Sequence, residues 1–246
     1  MCLVLSLLRP PSAVTDSVLG HPIAVQADVA VAPLKVLPPA ALPPQSGGIS
    51  PAWGLSMLLA FGVFMLLVAA AVERLSPSVL LGEWGLLEIL QLVLLSSSAL
   101  FLFRAAKLEG HGSAMHPLTH LLLIALVREL DGPLDAVWHG FWKLPALGVL
   151  ALCIQHIVKS PRAILRSLEQ HSHAPHAGLF LGASAVVLLQ SRLLGRQSLW
   201  RSVLGDDYVY VVPRLVEEAS ELAGYALIFL AAVQVHRWSR SIATEP

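Results

Sequence analysis

The chain has 246 residues, of which 56% are hydrophobic and 13% charged, and its mean hydropathy is +0.71. A soluble domain carries about 25% charged residues, so this composition excludes an ordinary globular class and leaves an all-α integral membrane protein. Sixteen basic residues balance sixteen acidic ones and only two cysteines occur, which excludes charge-led nucleic-acid binding and a disulfide scaffold.

Residues 1–52 differ from the rest. They hold nine of the seventeen prolines, with only Arg9, Asp16, Asp28 and Lys35 charged, and they read as a disordered Pro/Ala-rich tail. The apolar run Cys2–Leu8 is short and follows no positive charge, so it matches a signal peptide poorly. Residues 53–240 read as a polytopic helical bundle of about six transmembrane helices. Twenty residues without a charge, 53–72, suffice to cross about 30 Å of hydrocarbon. The second span, 84–103, carries Glu88 and Gln91 early and small residues from Ser96 to Ala99 late. The third, 113–130, is the weakest: its apolar run is short, Pro117 suits a first turn, and Arg128 and Glu129 close it. The fourth is 141–158. The fifth, 177–194, opens with Gly178 and Gly182 at the spacing that lets helices approach closely. The sixth, 214–235, opens with three carboxylates, and Ser220 with Gly224 and Ala219 with Ala223 place small residues on its packing surface.

Six spans put both termini on one side and sort the polar residues. Eleven of the sixteen acids fall at the end bearing the loops 74–83, 131–140 and 195–213. Seven of the ten histidines, His111, His116, His120, His156, His171, His173 and His176, fall at the opposite end. Lys and Arg divide nine to seven in favour of the histidine end, which leans towards cytoplasmic termini in a cell membrane.

The acidic end carries the candidate chemistry. On a helix Glu221 stands beside Glu217 and Glu218, where like charges repel, and a carboxylate well inside a bilayer costs roughly 2.5–3.5 kcal/mol. Such a cluster persists at an interface, when it holds protons, or when it meets cations. Glu88, Glu129, Asp131, His139, Glu217, Glu218 and Glu221 are the candidate ligand set, since oxygen donors with one imidazole suit a divalent cation. Arg128, Arg192 and Arg214 are candidate ion-pair partners that neutralise the same carboxylates and fix helix register. No HExxH, paired Glu-x-x-His, Gly-x-Ser-x-Gly or Walker pattern occurs.

The histidine end gives weaker signals. The run of His171, His173 and His176 reads as solvated polar sequence, with transition-metal binding as the sharper alternative. A haem between His120 and His156 is disfavoured, because facing axial ligands cannot be read from spacing. The segment 195–213 reads as an interfacial loop, or as a short interfacial helix around Ser198–Leu204 that covers the acidic cluster.

Three function classes follow. The first is a membrane protein whose carboxylate cluster binds protons or a divalent cation in transport or binding, with Glu88, Glu129, Glu217 and Glu221 foremost. The second is a membrane-embedded metal-dependent enzyme acting at the lipid interface through those acids and His139. The third is a non-catalytic structural subunit of a membrane complex. Expected partners are the lipid bilayer and other membrane proteins, or a second copy, through the Gly178/Gly182 and Ser220/Gly224 faces. No nucleic acid is expected.

Overall fold

A computed structural model describes residues 50–82 and 84–244. All but the last three residues of the expected tail 1–52 lie outside the described residues, as do Cys2, His21 and Glu83. Among the described residues there is no strand. The helices are α1 (Pro51–Arg74), α2 (Pro77–Leu81), α3 (Leu86–Glu109), α4 (Met115–Glu129), α5 (Asp131–Asp135), α6 (Lys143–Lys159), α7 (Pro161–Ser172), α8 (Pro175–Ala185), α9 (Ser191–Leu194), α10 (Gln197–Leu204) and α11 (Val211–Thr244). A π-helical turn, Val186–Gln190, joins α8 to α9.

Local chemistry sets several starts. Ser50 accepts from the Trp53 N–H at 3.3 Å and Pro51 follows it at a position whose N–H needs no partner, so α1 begins there. Prolines likewise open α2, α7 and α8. Two helices run past the expected span limits, through Arg104 and Lys107 in one case and through Arg237 and Arg240 in the other. The second span runs on to Glu109, and the sixth begins at Val211 and continues to Thr244.

Four helical stretches are long and apolar enough to cross a membrane: Pro51–Arg74, Pro77–Glu109, Pro175–Leu194 and Val211–Thr244. A fifth arises if α6 and α7, which meet at 96°, are one broken span. The expected third span is a helix, but at 15 residues α4 covers only about 22 Å and falls short by length alone. Ser160, whose backbone leaves the helical region at φ −143° and ψ 50°, and Pro161 after it account for the sharp end of α6.

α11 lies at the centre, packed on α3 and α8 and touching α1, α9 and α10, while α4 packs between α3 and α6. Buried positions on α11 recur as Glu221, Tyr225, Ile228, Ala232, Val235 and Ser239, and on α3 as Leu87, Gln91, Leu95, Ser98, Leu102 and Ala105. Both stripes advance in steps of three or four, the period that keeps one helix face against a neighbour. Lipid is as apolar as leucine, so close packing of small residues must hold such helices together. Ala99, Ala105, Ala106, Ala183 and Ala232 supply it, all buried in one cluster with Leu95, Leu102 and Ile228.

The two glycine faces behave differently. A Cβ on Gly224 would collide with Val187 Cγ2 and crowd the Ala183 carbonyl at 3.3 Å, so this face is consumed inside the chain by the π turn. Gly178 and Gly182 have no described atom within 4 Å of such a Cβ.

Candidate functional site

Four elements bring their ends together at the acidic pole: the start of α3, the end of α4, α9, and the first half of α11. They line a half-open cavity of about 390 Å³. Glu88, Glu129, Asp131, Glu217, Glu218 and Glu221 line it together with Arg128, Arg192 and Arg214, so six carboxylates meet three guanidinium groups. Leu80, Leu81 and Leu87 supply an apolar wall, and Gln197 and Tyr210 reach it from α10 and the segment before α11. The 195–213 segment therefore forms the short helix expected around Ser198–Leu204 and contributes to the cavity lining.

Glu221 is the innermost carboxylate, 3% exposed. Arg192 reaches its Oε1 at 2.7 Å, and also Glu217 Oε1 at 2.5 Å, so one guanidinium bridges two turns of α11. The Ser191 hydroxyl donates to Glu221 at 3.4 Å, and Arg128 stands 4.0 Å away. The preceding π turn inserts an extra residue into the helical repeat, a feature frequent at functional sites, and Ser191 and Arg192 follow it directly on the α11 side. Gly195 makes room for Glu217, whose carboxylate would collide with any Cβ there.

Glu129 accepts from the Tyr225 hydroxyl at 2.9 Å and lies 3.8 Å from Arg128. Tyr225 sits one turn after Glu221 on the same face, so α11 presents a carboxylate and a phenol side by side. Gln91 is completely buried, and its amide nitrogen donates to the Glu218 carbonyl at 3.2 Å and carboxylate at 3.0 Å. Its Oε1 has no partner. At the edge, the Trp84 N–H donates to Glu88 at 2.9 Å from a left-handed backbone, φ +61°. That conformation is rare for a bulky residue.

The expected residues divide as follows. Glu88, Glu129, Asp131, Glu217, Glu218 and Glu221 line one cavity, as do Arg128, Arg192 and Arg214. His139 is not among its lining residues: it pairs with Asp135 at 3.2 Å on a side chain 98% exposed. Among the described residues no three His, Cys, Asp or Glu side chains form a group able to hold a metal ion. Tyr225 and Ser191 were not expected. The i,i+4 relation of Tyr225 to Glu221 was visible in the sequence, whereas the π turn that places Ser191 was not.

The opposite pole corrects one expectation. His171 and His176 are buried rather than solvated, with ring centroids 5.3 Å apart and both against Trp238. His171 pairs with Glu109 at 3.2 Å, and Ser113 and Ser239 donate to the same carboxylate at 2.6 and 2.5 Å. His173 is exposed. His120 and His156 lie 6.2 Å apart, but His156 Nε2 is already engaged by the His111 carbonyl at 3.0 Å. This pole ties α3, α7, α8 and α11 together.

Comparison of the chain with protein families, with curated proteins and with solved structures finds no match in any of the three.

Proposed function

We propose that the chain is a multi-pass membrane protein that binds a cation, protons included, at the carboxylate-rich cavity, in transport or binding. The observation that carries this reading is the charge imbalance of one half-open cavity: six carboxylates against three guanidinium groups, with Glu221 at its buried end. Carboxylates in excess of their internal partners, partly withdrawn from bulk water, favour occupation by positive charge. A cavity of 390 Å³ falls within the roughly 300–1,000 Å³ typical of small-molecule sites. A bare divalent ion instead needs six or more oxygens closed tightly around it.

Six spans fit the placement of the polar poles. α4 starts beside Ser113, which bonds Glu109, and ends at Glu129, which bonds Tyr225. Its ends thus lie at the two poles that α11 joins between Glu221 and Ser239, about 27 Å apart along the helix. A short α4 enclosed by α3 and α6 would cross beside longer neighbours. With six crossings both termini lie on one side, and the nine-to-seven division of Lys and Arg favours the cytoplasmic one. Cysteines introduced at Ser172 and Ser202 are then labelled from opposite faces of sealed vesicles, and labelling of both from one face contradicts this topology.

The functional reading is tested by melting the purified chain with and without added cations, from acid to neutral pH. Binding to the folded state raises Tm. Protons neutralise the carboxylates, so stabilisation by an added cation should be greatest at neutral pH and fade as pH falls. In Glu221→Gln that stabilisation should drop by most of its size. Melting of the wild type that ignores every cation at every pH contradicts the reading.

A further inference from the structure

We infer that the cavity at the acidic pole recognises an ammonium group bearing N–H donors, a primary amine in its protonated form. This inference rests on the cation-binding reading and names the class of cation.

Two independent observations carry it. The first is the excess of carboxylates over guanidinium groups around the cavity. The second is Gln91 in its wall. This side chain is 0% exposed, and its orientation is fixed because both of its neighbours, the Glu218 carbonyl and carboxylate, are acceptors that only the amide nitrogen can satisfy. Its Oε1 is therefore an acceptor, and it has no partner. A buried acceptor left unmade costs about 1–3 kcal/mol, and native structures rarely keep one without a reason. A hydrogen-bond donor, or a metal ion coordinated by the amide oxygen, would satisfy it.

A ligand that is both cationic and a donor meets both requirements. Protonated amines qualify, with up to three N–H groups and a charge that suits Glu218 and Glu221. Quaternary ammonium ions carry the charge without a donor, and a bare metal ion needs several ligands closed around it, a grouping that no three His, Cys, Asp or Glu side chains form among the described residues. Leu80, Leu81 and Leu87 give the cavity an apolar wall for a short alkyl group. The same chemistry is available from a free amine or from an ethanolamine lipid headgroup, since the cavity lies at one end of the apolar helices.

The test compares n-butylammonium with tetramethylammonium by calorimetric titration of the full chain in detergent. The hydrogen bond to Gln91 should make butylammonium bind about tenfold or more tightly, the ratio expected of a charge-assisted hydrogen bond. Gln91→Leu should bring the ratio close to one, while Glu221→Gln weakens both ions. The wild-type ratio needs no variant, so the inference stays testable if Gln91→Leu fails to fold. A second arm uses phosphatidylcholine nanodiscs with and without phosphatidylethanolamine. Loss of butylammonium binding on adding phosphatidylethanolamine assigns the headgroup as the source, and undiminished binding assigns a free amine. A wild-type ratio near one, or one unchanged by Gln91→Leu, overturns the inference. If it is overturned while added cations still raise Tm in a Glu221-dependent way, only the ammonium specificity has failed. If neither effect occurs, the cation-binding reading fails as well.

Discussion

Arg192→Leu should lower the stability of the purified chain by about 2–3 kcal/mol, read as a fall in thermal midpoint. Removing one member of a buried ion pair typically costs about 3–5 kcal/mol, because the remaining charge is left without a counter-ion. Here the cost sits lower, since Arg192 is 45% exposed and water partly screens it. Its guanidinium serves Glu217 and Glu221 together, and Arg128, at 4.0 Å, is too far to replace it by a hydrogen bond. Adding Glu221→Leu to Arg192→Leu should recover much of the loss, because an apolar pair of similar volume often replaces a buried ion pair at little cost. A double variant as unstable as the sum of its singles would show that the two side chains do not act as a pair.

Gly224→Leu should be the most damaging single substitution on α11. Any Cβ at Gly224 meets Val187 Cγ2 and lies 3.3 Å from backbone atoms of Ala183 and Val187. A side chain can rotate away, but the backbone of the π turn cannot move without displacing Ser191 and Arg192 from Glu221. Overpacking of this kind costs about 1–3 kcal/mol, and alanine should show the smaller end of the range. Gly178→Leu, where no described atom stands within 4 Å, should leave the melting of the isolated chain unchanged. Equal losses at the two positions would contradict the packing described here.

Much of the bundle was legible because its signals are local. Long uncharged runs gave α1, α3, α8 and α11, although α1 starts at Pro51, two residues before the expected 53, on a cap supplied by Ser50. Helix ends were less legible. The run of α3 to Glu109 and of α11 to Thr244 depends on polar partners at the far pole, Ser113 and Ser239 on Glu109 among them. The 96° bend between α6 and α7 arises at Ser160-Pro161, which the sequence marks as a boundary without giving the new direction. Charge sorting brought the acids of the second, third and sixth spans to one place, because unlike ends had already been separated along the chain. His139 stayed outside: pairing with Asp135 four residues earlier satisfies it locally. Burial of His171 and His176 could not be read from a polar run, since Glu109 and Trp238 that enclose them lie more than sixty residues away on other helices.

If positive charge occupies the carboxylate cavity, its carboxylates exchange protons for cations, and counting protons reads that exchange. The purified chain and the double variant Glu129→Gln/Glu221→Gln are titrated with acid in weakly buffered detergent, with and without a saturating cation. The wild type should take up protons that the double variant does not, and added cation should displace them. Coincident titration curves for the two proteins, unaltered by cation, would contradict it.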